Sequence, residues 1–314
     1  MRNRFLTLAA LCSLICIGCG GESKTKIPSD PTEAFPDPIF RAYVLENFDT
    51  NGDGKISEEE ALAVTRIMFE HKNIKSLEGI QYFTNLTELH CAENQLTSLD
   101  VSKNTKLTDL GCSSNQLTAL DISKNTKLTE LGCGSNQLTT LDVSKNTELT
   151  YLDCDGNQLT TLDVSKNAKL ECLSCANNQL TTLDVSKNAK LISLDCSFNK
   201  LKTLDVSKNT KLTELGCGSN QLTALDVSKN TELTDLDCSD NQLTALDVSK
   251  NKKLTGLWCE DNQIVKLDLS KTNLGNRGTL DCAPMNALKK VYLKKGRSIG
   301  RNGLPDHTEI IFVD

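Results

Sequence analysis

The sequence predicts a mainly β solenoid that begins with a short helical unit. Two observations carry this. Nine cysteines (Cys91, Cys112, Cys133, Cys154, Cys175, Cys196, Cys217, Cys238 and Cys259) follow one another at a constant spacing of 21 residues. Self-similarity at a fixed period of this size marks stacked structural repeats and outranks local propensity as a fold signal. The other observation is composition. Only 4% of the residues are aromatic, too few for a thick globular core but enough for a stack of thin coils.

Each unit states one idea twice. Leu86 to Lys106 reads LxxLxCxxN and then LxxLDVSKN, in halves of 10 and 11 residues. One unit is therefore expected to form one complete coil with two short strands on opposite sides. Successive side chains of a strand face opposite ways. Leu89 and Cys91 are thus assigned inward, and Glu88 and His90 outward. In the second half Leu99 and Val101 are inward and Asp100 outward. Stacking nine coils at ~4.8 Å gives a rod of roughly 38 Å. Asn94 and Asn104, with their equivalents, are assigned to the bends, where side-chain amides satisfy exposed backbone groups.

Ahead of the repeats, Arg2 and Arg4 precede a mostly apolar stretch from Phe5 to Ile17. It is too short to span a bilayer and reads as the apolar region of a secretory signal. The run Cys16-Ile-Gly-Cys19 resembles a bacterial lipobox, with Cys19 as the lipidated residue, although Cys16 stands where leucine is usual. An ordinary cleaved signal is the alternative. Gly20 to Pro36 carries Gly, Ser, Lys and Pro and reads as a flexible tether.

Asp37-Pro38 is a helix start, followed by apolar Phe40, Tyr43, Val44 and Phe48. The next twelve residues, Asp49 to Glu60, match a calcium-binding EF-hand loop at every required position. Asp49, Asn51 and Asp53 offer side-chain oxygens on alternate residues, and Gly54 permits the sharp turn. Lys55 would give its carbonyl, Ser57 a hydroxyl or a bound water, and Glu60 two oxygens, so calcium is the expected cofactor. Glu58 to Met68 is expected to be the exiting helix. No second loop occurs in the sequence. Ile56 and the two helices are therefore expected to pack onto the first coil, with calcium structural.

The repeat residues resemble the internalin-type leucine-rich repeats of bacteria, over Asn73 to about Leu274. The signal is specific because nine copies hold register. Ile74, Leu77, Ile80, Phe83 and Leu86 look like a degenerate first coil. The resemblance implies a right-handed coil array, a helical EF-hand-like cap, a concave side lined by the cysteine-half strands, and a role as a surface adhesin or recognition module. After Ser270 the register is lost: Thr272 breaks the asparagine ladder and Leu280-Asp-Cys282 falls out of frame. The expected divisions are a signal peptide at 1–18, a tether at 19–36, a helical cap at 37–72, the solenoid at 73–274 and a C-terminal cap at 275–314.

Fourteen cysteines in an exported chain would ordinarily suggest disulfides. Here the nine ladder cysteines replace inward apolar residues, and nearly parallel Cβ atoms on adjacent strands stand somewhat too far apart to bridge. Buried thiols acting as small hydrophobes are expected, with a partly bridged ladder as the alternative. Cys172 and Cys175 face opposite ways and are not a metal pair; Cys172 and Cys282 are the thiols expected to be reachable. Only three histidines occur, and no GxSxG elbow, phosphate loop or HExxH motif is present. No enzyme is expected.

The LDVSKN half is nearly invariant, and each of its aspartates is expected to be offset by the lysine of its own repeat. The cysteine half varies. Positions two to eight of the nine units hold fourteen Asp or Glu and no Lys or Arg. Such a face repels phosphate backbones, which argues against nucleic acid, and favours a protein with a basic surface. Candidate contact residues are Tyr151, Asp153, Asp195, Phe198, Asp235, Asp237 and Trp258. A sugar stacked on Trp258 keeps a glycan ligand of a nutrient-uptake system open, and a passive envelope spacer is the third reading. The expected location is a bacterial outer membrane or cell surface, held to the bilayer by the N-terminal lipid.

Overall fold

The computed structural model describes residues 26–275, 278–299 and 303–314. The signal segment and Cys19 lie outside them. Three short helices come first: α1 (Pro31–Ala34), α2 (Pro38–Phe48) and α3 (Glu58–Ala63). Strands of three to five residues and a 3-10 turn at Ile80–Tyr82 follow, the first strand being β1 (Arg66–Met68). Among the described residues no helix is long and apolar enough to cross a membrane.

The strands of the repeats are β2 (Glu88–His90), β3 (Asp109–Gly111), β4 (Glu130–Gly132), β5 (Tyr151–Asp153), β6 (Cys172–Ser174), β7 (Ser193–Asp195), β8 (Glu214–Gly216), β9 (Asp235–Asp237) and β10 (Gly256–Trp258). With β1 at one end and β12 (Thr279–Asp281) at the other they form an eleven-stranded parallel sheet in sequence order. Register is one residue to its equivalent: Leu89 faces Leu110, and Leu110 faces Leu131. β11 (Lys266–Asp268), β13 (Lys290–Lys294) and β14 (Glu309–Val313) make a second, three-stranded sheet.

Packing follows the period. In the first unit Leu86, Leu89, Cys91, Leu96, Leu99 and Val101 are all buried, and each later unit repeats the column. Full burial of one such leucine is worth about 1.5–3 kcal/mol. A single coil has nothing of its own to bury these side chains against, so stability comes from stacking neighbours.

The expected second strand does not form in the repeats. Only the last one, β11, is a strand, because β13 is there to pair with it. Elsewhere the LDVSKN backbone finds local partners. Asp100 Oδ1 accepts the Ser102 N–H at 2.9 Å, and the Asn104 N–H donates to Val101 O at 2.9 Å. Asparagine amides supply the coil-to-coil links: Asn125 Nδ2 donates to Val101 O and Asn104 O of the preceding coil. The expected offset of Asp by Lys also differs. Among the described residues no aspartate of the Asp100 series forms an ion pair. Their carboxyls are held below the usual range chiefly by bonds to the serine two places on, with the neighbouring lysine a minor cause.

The N-terminal end differs from expectation in two ways. Part of the tether is built in. Phe35 is fully buried, with its ring 5.8 Å from Phe40 and 6.0 Å from both Tyr82 and Phe83. Gly79 makes room for it: a Cβ there would overlap the Phe35 ring, and its φ of 106° suits only glycine. The exiting helix is also shorter than read. It stops at Ala63, and Arg66–Met68 becomes the strand of a preliminary coil, with Ile67 paired to Leu89. The solenoid thus starts inside the segment assigned to the cap. Ile56 is buried in the same core cluster as the first coil.

Asp37 joins the two parts. Its Oδ1 caps α2 through Ile39 and Phe40, and its Oδ2 accepts the N–H groups of Lys75 and Ser76. Burial pushes its carboxyl up, but these four backbone bonds outweigh that and hold it below the usual range.

Candidate functional sites

Two surfaces stand out: the Asp49–Glu60 loop and the strand face. The loop is closed on itself. Asp49 Oδ1 accepts the Gly52 N–H and Oδ2 the Gly54 N–H, both at 2.8 Å. Asn51 Oδ1 accepts from Asp53, and Asp53 Oδ1 from Lys55. Gly54 adopts φ 77°, the left-handed turn its position demands. Glu60 is 7% exposed. Its Oε1 accepts from the Thr50 N–H, the Thr50 hydroxyl and the Asn51 N–H, and its Oε2 from the Ser57 N–H and hydroxyl. Those bonds, led by the Ser57 N–H, bring its carboxyl down to about 2.

The donor set is the hard-oxygen chemistry calcium takes. The carboxylates nevertheless face the loop's own N–H groups. Among the described residues no group of three or more His, Cys, Asp or Glu is gathered to hold a metal ion. Asp49, Asn51, Asp53, the Lys55 carbonyl, Ser57 and Glu60 are the residues that would hold calcium, each carboxylate having about four lone-pair sites for N–H groups and ion together.

On the strand face the outward residues form two columns. One runs Arg66, Glu88, Asp109, Glu130, Tyr151, Cys172, Ser193, Glu214, Asp235, Gly256 and Thr279. Tyr151 and Asp235 belong to it. Asp153, Asp195, Asp237 and Trp258 belong to the other, which continues to Asp281. Phe198 is in neither. It follows β7 in a left-handed turn at φ 53°, 58% exposed, so it sits on the rim.

Charge is not uniform along this face. Arg66 pairs with Glu88 at 2.9 Å, His71 with Glu93 at 2.8 Å, and His90 with Asp109 at 2.9 Å. Among the described residues no other acid of the face has an ion pair. The one-signed field therefore begins at β4. Burial raises the carboxyls of Asp153 and Glu260 above the usual range. Asp153, Asp195 and Asp237 each accept one N–H of the following turn, which fixes their orientation.

Trp258 is seated by its own strand. A Cβ on Gly256 would stand 2.8 Å from the indole Cη2 and Cζ3 carbons, so only glycine lets the ring lie across that position. Asp237 and Asp281 flank Trp258 on the neighbouring strands. Asp281 escapes the sequence reading because the spacing from Cys259 to Cys282 is 23 residues. The matching LxC pattern at Leu280-Asp-Cys282 is the signal that could have found it. Cys282 is in register and fully buried, which corrects both the reading of a lost frame and the expectation of a reachable thiol.

From Cys91 to Cys238 the ladder cysteines are free thiols. Burial pushes the Cys112 thiol up to about 12, and the other ladder thiols from Cys91 to Cys238 rise for the same reason. Only Cys172 is partly exposed among the described cysteines. A thiol reagent under native conditions should therefore label Cys172 well before any ladder position, as peptide mapping at short reaction times would reveal. Equal labelling of Cys154 or Cys175 would mean the coils open readily.

Comparison with known proteins agrees with this geometry. A family profile described as Leucine Rich repeat matches residues 94–114. Internalin J of Listeria monocytogenes is 42% identical over 86 residues, 26% of this chain and 9% of that protein. The solved functional domain of that internalin, described as including a cysteine ladder, superposes with TM-score 0.75 at 40% identity, over 86% of this chain and 58% of that one. The fold is a leucine-rich-repeat solenoid. Internalin C of the same species is 30% identical over 96 residues, 29% of this chain and 32% of that protein. The chain thus spans about a third or less of the two full-length internalins it matches, and 58% of the solved internalin J domain. A Leptospira interrogans repeat protein matches in fold alone, with TM-score 0.64 at 23% identity, over 82% of this chain and 75% of that one.

Proposed function

We propose that this chain is a lipid-anchored cell-envelope protein that binds a partner protein with a basic surface, without catalysing a reaction. The carrying observation is the acidic strand face from β4 to β12, free of ion pairs among the described residues, with Tyr151, 42% exposed, and Trp258 set into it. One-signed fields speed association with oppositely charged partners, and aromatic side chains are common binding anchors. Similarity to the internalins supports a binding scaffold. Anchoring rests on Cys19 at the lipobox-like sequence, and puts the rod at the outer membrane or cell surface.

The test is a screen of the mature chain against arrays of lysine-rich peptides and of glycans. Asp235→Lys with Asp237→Lys should slow association with a retained cationic peptide about tenfold or more at low salt. The loss should shrink as salt rises, since the Debye length is about 8 Å at physiological ionic strength. Lys229→Glu with Lys250→Glu on the LDVSKN side should leave association within a few fold. The opposite ranking would show that the wrong face has been chosen. A second reading, a glycan stacked on the flat indole of Trp258, is favoured by the ring's seat over Gly256. Retention of glycans alone, abolished by Trp258→Ala, would replace the protein partner.

Calcium is proposed as a structural ion of the Asp49–Glu60 loop. Millimolar calcium should raise the melting temperature by mass action, since extracellular sites bind at about 10⁻⁴–10⁻³ M. The rise should vanish in Glu60→Gln and in Asp53→Ala. A full rise in both variants would place the ion elsewhere.

A further inference from the structure

We infer that Cys259 and Cys282 form a disulfide that ties the last full repeat to the C-terminal cap. The two sulfurs lie 3.0 Å apart, both residues fully buried. This rung is unlike the others. At inner rungs the thiols of Cys154, Cys196 and Cys217 donate to carbonyls of the next strand: Ser174 O at 3.4 Å, Gly216 O at 3.4 Å and Asp237 O at 3.2 Å. Among the described residues only the last rung sets sulfur against sulfur. Its strand pairing is also held from both sides, since the Cys259 N–H donates to Asp281 O at 2.8 Å and the Cys282 N–H to Gly303 O at 2.7 Å.

The bond has a physical purpose at this position. Interior coils are clamped by neighbours on both sides, whereas a terminal coil has one. A link across 23 residues lowers the conformational freedom of the unfolded end and resists fraying there. In the reaction each thiol loses its proton and one S–S bond forms. The two electrons and two protons reduce a disulfide oxidant, such as a small disulfide or a disulfide-bearing protein of the export compartment, to two thiols. Contact with Cys282 and burial hold the Cys259 thiol well above its ordinary value. Exchange therefore takes place while the cap is still open, before β12 has docked. The remaining ladder thiols stay reduced.

The experiment is to refold the full chain with oxidised glutathione, block free thiols after denaturation, and map peptides without reduction. A single Cys259–Cys282 link is expected, with every other ladder thiol blocked. The oxidised chain should melt several degrees above the same chain after reduction. Cys282→Ser, folded as judged by circular dichroism, should lose that difference, while Cys238→Ser should keep both the link and the difference. Should Cys282→Ser fail to fold, the wild-type peptide map decides alone. Finding both thiols blocked in the oxidised wild type, or Cys259 joined to Cys238, would overturn the inference.

Discussion

Asn157→Ala should lower stability by about 3 kcal/mol, and much more than the same change at Asn167. Both asparagines are buried, but they satisfy different accounts. Asn157 Oδ1 is the acceptor for the buried Leu138 N–H at 3.0 Å, which has no other partner. Its Nδ2 donates to Cys133 O, Cys154 O and Asp155 O. Those carbonyls keep a second donor after truncation: Asn136 Nδ2, Asn178 Nδ2 and the Ser135 N–H respectively. The Leu138 N–H is left orphaned. Asn167 Nδ2 donates to Val143 O and Asn146 O, which also keep partners, and its own Oδ1 is a buried acceptor without one. Its removal costs a small cavity and relieves an unpaired oxygen. For a chain of this size ~3 kcal/mol moves the melting temperature by roughly 4–6 °C. Thermal melts of the two variants side by side provide the check, and equal losses would sink the distinction.

Glu60→Ala should loosen the N-terminal cap by about 2–4 kcal/mol, because the N–H groups of Thr50, Asn51 and Ser57 all lose their acceptor. The effect should depend on pH in a defined direction. The folded carboxyl lies at about 2, against 4.5 when unperturbed. A depressed carboxyl stabilises the fold only while ionised. Its contribution is complete above about pH 4.5 and is lost as pH falls from there toward about 2. Wild type should therefore melt well above Glu60→Gln at neutral pH, and the gap should close as pH falls through this window. A gap that stays constant down to about pH 2 would assign the stabilisation to some other feature of the cap. Because this measurement needs no added metal, it separates the structural role of Glu60 from any role toward calcium.

These two residues carry different lessons about what a sequence tells. Asn157 is legible as a ladder position from its period alone, yet the difference between it and Asn167 is not, since both stand in an LxxL…N frame. The partner of each amide depends on which backbone groups the bend leaves bare, and only the folded path reveals that. Glu60 is legible as position twelve of a loop, but its capping of Ser57 and Thr50 emerges only once α3 is in place. Tyr151 and Asp235 face outward, as strand alternation requires; Phe198 holds another place in the period, that of Glu93, Asp240 and Asp261, and only the structure shows that this place is a left-handed turn at the rim.

What the sequence determined by itself is whatever the 21-residue period imposes. It names the coil, its inward Leu, Cys and Val columns, its asparagine bends and the acidic excess on the varied half, because identical residues stacked in register must share an environment. The tertiary structure decided what the period does not govern. Phe35 and Gly79 are joined across the cap by shape, not by spacing. The LDVSKN halves form no strand until β13 supplies a partner for β11. Trp258 lies flat because Gly256 leaves room on the same strand. Cys282 recovers the ladder two residues late, since an insertion can bulge from the turn while β12 still meets β10 in register. Each of these is a contact between segments whose separation carries no repeat, and only packing in three dimensions selects it.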